Sequence, residues 1–315
     1  MKKEQVAEHF RNEAGSWVRA SYEGSPYDFP TAEHRRRVIC RLLDEARAPL
    51  KVLDLGCGGG HLALALAERG HTVFGIDQSP QMIGIATAAR AEADAETQER
   101  LVFREGDIES AEIEDTAYDV VTAMGVIGYF PSDDPLLACA ARALKPEGRF
   151  MVSCRNRLFN MTSHSHRTVR EIENGTAPGL LAELDALRKP VAADAAQEFV
   201  AAFERALPAL KADVNATPSA PSAETQEAEA AAAVKMGTEA RQHTPAELTQ
   251  SARAHGFETQ SMHGIHPHLI NPALNRLLPP GVFNTLSGCL EALEDEPISL
   301  SWSSVFIASL RKRAS

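Results

Sequence analysis

The residues best placed to do chemistry begin with Gly56, Gly58, Gly59 and Gly60, which follow Val52-Leu53-Asp54-Leu55 and open a helical pattern through Leu62, Leu64 and Leu66. A strand running through glycines into a helix lets backbone approach a ligand closely, and it aims free N–H groups at a carboxylate or phosphate. The dinucleotide fingerprint GxGxxG needs glycine at position 61, where His61 stands; the GxGxG spacing argues against a nicotinamide or flavin oxidoreductase. Asp77 closes the next strand about twenty residues on, where a carboxylate can accept from both hydroxyls of a ribose. Ser79 with Pro80 behind it is a sufficient helix cap, which leaves Asp77 free for that task. A third acid, Asp107 in Gly106-Asp107-Ile108, follows the third strand, placed to accept from an exocyclic amine while Ile108 covers an adenine face.

The elements that must hold these residues alternate. Strands are expected at Lys51–Leu55, Thr72–Ile76, Leu101–Phe103, Tyr118–Ala123 and Arg149–Ser153, with helices between them, including one from Ser79-Pro80 and one over Pro135–Leu144. Such alternation means an α/β fold whose parallel sheet has right-handed crossovers. Residues 156 to 243 break the pattern with no convincing strand and an Ala/Glu/Pro/Ser-biased stretch from Ala209 to Val234, read as an inserted helical lid with a mobile portion. The alternation resumes at the capping box Thr244-Pro245-Ala246-Glu247, then a strand from Phe257 towards Ile265, a helical excursion over Pro272–Glu294 and a final strand over Leu300–Leu310. Arg311-Lys312-Arg313 reads as a solvated tail. The expected units are an N-terminal helical cap (1–50), a ligand-binding core (51–155), the lid (156–243) and a segment completing the sheet (244–315).

Composition agrees with a soluble globular protein: of 315 residues, 44% are hydrophobic and 24% charged. Lys and Arg number 32 against 43 Asp and Glu, and the formal net charge of −11 makes nucleic acid and anionic membrane unfavourable partners. The charged start Met1-Lys2-Lys3-Glu4-Gln5 is unlike a secretory signal, and no run of about 18 apolar residues occurs, so a cytoplasmic protein is expected. Five scattered cysteines without CxxC spacing read as reduced core thiols.

Taken together, Val52 to Gly60, Asp77, Gly106-Asp107-Ile108, Tyr118-Asp119-Val120-Val121 and Leu144 to Arg149 resemble the successive motifs of class I S-adenosylmethionine-dependent methyltransferases. The resemblance covers residues 50 to 155 well and 244 to 310 more loosely. It implies a Rossmann-like seven-stranded sheet in the order 3-2-1-4-5-7-6, with strand 7 antiparallel, an N-terminal helical cap and a helical lid after strand 5. The implied cofactor is S-adenosyl-L-methionine. Gly56, Gly58 and Gly60 would hold its methionine end, Asp77 its ribose, and Asp107 with Ile108 its adenine. Met124 and Gly125 would lie beside it, Cys57, Gln78 and Met82 would join the same site, and Tyr22 would reach the methionine carboxylate. Trp17, Tyr22, Tyr27 and Phe29 either close over the ligands or pack an N-terminal helix pair on the sheet.

Residues Ser153 to Asn160 and the segment His266-Pro267-His268 resemble a narrower set of bacterial small-molecule and saccharide methyltransferases. The favoured function is O-methylation of a small polar acceptor such as a sugar or secondary metabolite. The alternatives are C- or N-methylation of a quinone-like, lipid or amine acceptor, or S-adenosylmethionine binding without catalysis. Methyl transfer from a sulfonium asks mainly for alignment and exclusion of water, and a hydroxyl acceptor adds a need for a general base. Ligands sit beyond the carboxyl ends of parallel strands, which nominates Arg155, Asn156, His266 and His268 for the acceptor, with His164 and His166 at the lid entrance. His243 is the expected base, since a helix start disfavours imidazolium. Each histidine also has a structural reading as a cap, a surface residue or a hinge, and without a supporting carboxylate motif no metal is expected.

Overall fold

The computed structural model describes residue 18 and residues 21–27, 29–215 and 240–314; Trp17 and most of the Ala209 to Val234 stretch lie outside the described residues. In chain order the elements are α1 (Thr31–Asp44), β1 (Lys51–Leu55), α2 (His61–Glu68), β2 (Thr72–Asp77), α3 (Pro80–Glu92), α4 (Ala95–Arg100), β3 (Leu101–Glu105), β4 (Tyr118–Met124) and α5 (Asp134–Ala143). Then come β5 (Leu144–Arg155), α6 (His166–Glu173), α7 (Ala177–Ala186), α8 (Ala193–Asn215), α9 (Pro245–Ala254), β6 (Phe257–Pro267), α10 (Val282–Cys289) and β7 (Ser303–Lys312). The seven strands form one sheet in the order β3-β2-β1-β4-β5-β7-β6. All pairings are parallel except those of β7, which runs antiparallel to both β5 and β6, as the motif resemblance implied.

Side-chain alternation along the strands builds two cores, one on each face of the sheet. Leu53 and Leu55 of β1 pack with Leu136 and Leu137 of α5, Leu248 of α9 and Phe150 and Phe306 of the neighbouring strands. Val52, one residue out of phase, faces Val38, Ile39 and Leu43 of α1 and Leu62 and Leu66 of α2. Every strand end that matters for the ligand is therefore anchored on both sides.

Three local expectations are corrected. The final strand starts at Ser303 because Pro297–Ser301 forms a short 3-10 turn. It also runs on to Lys312: Arg311 pairs with Arg149 and Glu258 in the ladder and forms ion pairs with Glu147 and Glu258, so it belongs to the sheet and not to a tail. The helical excursion before β7 is one short helix, α10, with 3-10 turns on both sides.

The insertion leaves and returns at a single point. Asn156 forms a parallel bridge with His243, with His243 N–H donating to Arg155 O (3.0 Å) and Arg157 N–H donating to His243 O (2.9 Å). Within the insertion, the turn Leu158–Met161 and the start of α6 stand at the carboxyl edge of the sheet, whereas α8 packs along α10 and the turn Leu290–Leu293. All five cysteines are buried and free. Among the described residues no helix is long and apolar enough to cross a membrane.

Candidate active site

Beyond the carboxyl ends of β1, β2, β4 and β5 lies a cavity of about 810 Å³. Its first half is built from the motif residues. Gly56 and Gly58 adopt φ of +71° and +53°, a left-handed backbone that side chains avoid, and a Cβ on Gly56 would come within 2.5 Å of Val126. Asp77 fastens the turn to the next helix: Oδ2 accepts from Gly58 N–H and Oδ1 from Ser79 N–H, both at 2.9 Å. Burial pushes its carboxyl upward, and these two backbone donors oppose that shift. A carboxylate offers about four lone-pair directions, so roughly two remain for a ligand. Ser79 caps α3 by accepting from Met82 N–H (3.3 Å), which sets Met82 in the cavity wall beside Gln78. Asp107, whose Oδ1 accepts from Glu109 N–H, lines the same wall with Ile108.

Met124 and Gly125 complete this half. Gly125 has φ +77°, and a Cβ there would lie 2.5 Å from Nη1 of Arg35. Ser153 Oγ joins the two, accepting from Gly125 N–H at 2.7 Å and from Arg35 Nη1 at 3.2 Å. Arg35 was not among the residues expected from sequence. It lines the cavity, it has no carboxylate partner among the described residues, and its buried Nε has no hydrogen-bond partner. Desolvation lowers its pKa, with the tyrosines Tyr22 and Tyr129 opposing. A guanidinium held this way is set for an anion arriving from the cavity. Asp54, also missed, is fully buried beneath the turn; burial raises its pKa to about 6, with the 2.6 Å hydrogen bond from Thr122 opposing and the charge of Asp77 adding.

Some expected residues shape the site without lining it. Cys57 is buried under the turn, and its thiol is pushed up by desolvation. Gly60 starts α2 in a left-handed conformation against Phe103 and Ala86. Tyr22 stacks on His61, with ring centroids 4.0 Å apart, while its neighbour Ser21 reaches the cavity.

In the acceptor half, Arg155, His164, His166 and His266 line the cavity together with Tyr129, Phe130 and Phe159. Asn156 does not, and its expected role is corrected. It is fully buried, with Nδ2 donating to Leu300 O and Ser303 O and Oδ1 accepting from Leu158 N–H, so the amide is spent on closing the insertion. His243 is corrected too. It is 3% exposed, its Nε2 is 2.8 Å from Asp133 Oδ1, and its buried Nδ1 is unpartnered, while the neighbouring Arg241 and Gln242 are the residues that face the cavity. Burial would raise the Asp133 carboxyl, but hydrogen bonds from His243 and Arg241 hold it well below the usual range. His268 sits one layer behind His266 and opens on a neighbouring cavity.

His266 stands out by backbone and by ring. Its φ of +55° is rare for a side-chain-bearing residue, and it precedes Pro267, which further disfavours non-extended backbone. Such strain persists only where the surroundings enforce it. Here Nδ1 lies 2.9 Å from Ser304 Oγ, and that hydroxyl can donate to His266 O at 3.4 Å. In the matching tautomer Nδ1–H donates to Ser304, and the Nε2 lone pair is left without a partner among the described residues. Desolvation, followed by the neighbouring His268, His34 and Arg35, drives the His266 pKa well below its ordinary value, so the ring is neutral at pH 7. Among the described residues no group of three or more His, Cys, Asp or Glu side chains is arranged to hold a metal.

A family model described as a methyltransferase domain matches residues 47–206. The chain is 38% identical over 109 residues to the ubiquinone biosynthesis O-methyltransferase of Leptothrix cholodnii, a stretch that is 34% of this chain and 45% of that protein. It thus spans less than half the length of that relative. In fold it is similar to the magnesium protoporphyrin IX methyltransferase of Synechocystis PCC 6803, solved with bound SAH (TM-score 0.52, 15% identity, covering 99% of this chain and 100% of the other). It is similar also to the 4+2 cyclase SpnF (TM-score 0.55, 16% identity, covering 100% and 98%). At these identities the likeness concerns the fold alone.

Proposed function

The chain belongs to the class I S-adenosylmethionine-dependent methyltransferases, and from that premise we propose that it methylates a hydroxyl of a small, quinone-like aromatic acceptor. The observation that carries the acceptor class is the polarity of the cavity's second half. Its charged lining residues are Arg155, Arg167 and Arg241, of which Arg241 is ion-paired with Asp133, with Arg35 at the boundary, and the acids of the lining, Asp77 and Asp107, belong to the cofactor half. An alkylamine would arrive as a cation beside Arg155 and Arg35, with no carboxylate among the described residues lining this half, which speaks against N-methylation of such acceptors. The aromatic walls Tyr129, Phe130 and Phe159 favour a flat ring over a sugar, and the name of the curated relative points the same way.

The residues present fit the cofactor. The Gly56–Gly58 turn leaves room for its amino-acid end, Asp77 retains lone pairs for ribose hydroxyls, Ile108 and Met82 offer flat apolar contact for the base, and Arg35, which has no carboxylate partner among the described residues, suits a carboxylate. When bound, the cofactor supplies a methyl group on a sulfonium, open to in-line displacement by a nucleophile. The chain's own contribution begins with alignment: Arg155 and Arg35 fix anionic groups, and the aromatic walls exclude water. His266 then takes the proton of the acceptor hydroxyl on Nε2, while Ser304 holds the ring at Nδ1.

The test is transfer of labelled methyl groups from S-adenosylmethionine to 3,4-dihydroxybenzoate, glucose and 2-phenylethylamine in parallel. Label in a product of 3,4-dihydroxybenzoate that is one methyl group heavier, with none in the other two, is expected. Preferential labelling of glucose or 2-phenylethylamine overturns the acceptor class, and absence of S-adenosylhomocysteine binding overturns the cofactor site.

A further inference from the structure

A second cavity of about 350 Å³ lies behind His266 and shares Ser21, Thr31, His266 and Pro272 with the main one. Its character is different. Among the described residues no charged side chain lines it, and its walls are mostly rings: Tyr27, Phe29, His266, His268 and Phe283. Four rings form a row, Phe29 stacked on His266 (4.9 Å between centroids), His266 tilted by 40° against His268 (4.3 Å) and His268 stacked on Phe159 (4.5 Å), and Phe283 meets His268 edge-on at 5.6 Å.

This apolar chamber contains polar atoms without a partner among the described residues. Both ring nitrogens of His268 are buried and unpartnered, and so is Oδ1 of Asn275, whose Nδ2 is already committed to Tyr27 O at 2.6 Å. Desolvation lowers the His268 pKa to about 4, so near pH 7 the ring offers one donor and one acceptor, and Asn275 Oδ1 offers an acceptor. Buried polar groups in folded proteins are almost always satisfied, and the cavity is the space from which a ligand hydroxyl can reach these atoms.

We propose that this second cavity is an acceptor subsite for an uncharged, phenol-like ring, so that the acceptor is an extended molecule carrying such a ring away from the hydroxyl that is methylated. The proposal rests on reading the main cavity as the methyl-transfer site. A planar ring packs against the aromatic walls Tyr27, Phe29 and Phe283, and a single hydroxyl can donate to Asn275 Oδ1 while accepting from the His268 N–H. An aliphatic chain would leave those atoms unpaired, and a carboxylate or ammonium would find no counter-charge. The shared wall at His266 places the subsite beside the base and not behind the cofactor.

Phenol is the probe, added to the protein saturated with S-adenosylhomocysteine, with cyclohexanol and benzoate as controls. In the unmodified protein, phenol is expected to shift the ring-nitrogen NMR signals of His268 and to bind at least tenfold more tightly than either control. His268→Phe, which keeps the row of rings and removes the polar atoms, should weaken phenol at least tenfold and leave the affinity for S-adenosylhomocysteine unchanged. Unshifted His268 signals, or equal binding of cyclohexanol, overturn the subsite whether or not the variant folds. Failure of S-adenosylhomocysteine to bind, by contrast, would strike the methyltransferase reading while phenol still judged the subsite on its own signals.

Discussion

Replacing Arg35 with methionine separates stability from ligand recognition, because the two should move in opposite directions. In the ligand-free protein Arg35 has one hydrogen bond, at 3.2 Å to Ser153, and a buried Nε with no acceptor. Removing a desolvated donor and an unpaired charge in favour of a side chain of similar length should stabilise the fold by about 1 kcal/mol, or raise Tm by about 2 °C in a chain of this size. The bound cofactor's carboxylate, in contrast, would lose charge-assisted hydrogen bonds worth about 1.5–3 kcal/mol, a loss of about 10- to 150-fold in affinity. Calorimetric titration with S-adenosylhomocysteine and with 5′-methylthioadenosine tests the assignment, because the second compound has no amino-acid end and should bind Arg35→Met as well as it binds the parent. Gly125→Ala should reproduce the ligand pattern, since its Cβ would displace the guanidinium, but its φ of +77° strains alanine, so that variant should lose stability. Equal weakening of both ligands, or a Tm that falls in Arg35→Met, would show Arg35 to be a packing residue.

Asp77→Ala should cost about 1–3 kcal/mol in binding of both compounds, since both carry the ribose, and isothermal titration reads it directly. His266→Gln should lower kcat about 10²- to 10⁴-fold at unchanged cofactor Kd, whereas His243→Ala should leave kcat per folded molecule intact and lose about 2 kcal/mol of stability, measured by denaturant unfolding, as the buried partner of Asp133 disappears. Glu171 predicts an acid limb of stability. The hydrogen bonds from Arg157, with burial opposing and Thr176 and Asn160 assisting, hold its carboxyl at about 2. A depressed folded-state pKa stabilises above the ordinary glutamate range and fades as pH falls from about 4.5 to about 2, so Glu171→Gln should flatten that segment of the unfolding curve by about 2 kcal/mol.

The part of the site that was legible in the sequence is the part made of contiguous motifs. The glycine turn, Asp77 and Gly106-Asp107-Ile108 each sit at the end of a strand, and a parallel sheet puts such ends at one edge. Residues whose role depends on a distant partner were not legible in the same way. Arg35 lies in Glu33-His34-Arg35-Arg36-Arg37, which looks like a solvated charge run, and only its approach to Gly125 reveals its use. One signal was present nonetheless: Arg35 falls three residues after Ala32 and four before Ile39, on the buried stripe of α1, where a cation needs a reason.

The histidines make the same point about chemistry. His243 precedes a helix and His266 ends a strand, each with a proline nearby, and position alone favoured the one at a helix start. The proposed assignment reverses that order, on two partners that sequence spacing does not bring together. Asp133, 110 residues from His243, draws that ring inward to hold the insertion's return point, whereas Ser304 pins His266 in a left-handed backbone at the cavity wall. A base must be neutral, oriented and in contact with the cavity. Burial among His268, His34 and Arg35 supplies the first condition for His266, Ser304 the second, and the strained turn before Pro267 the third.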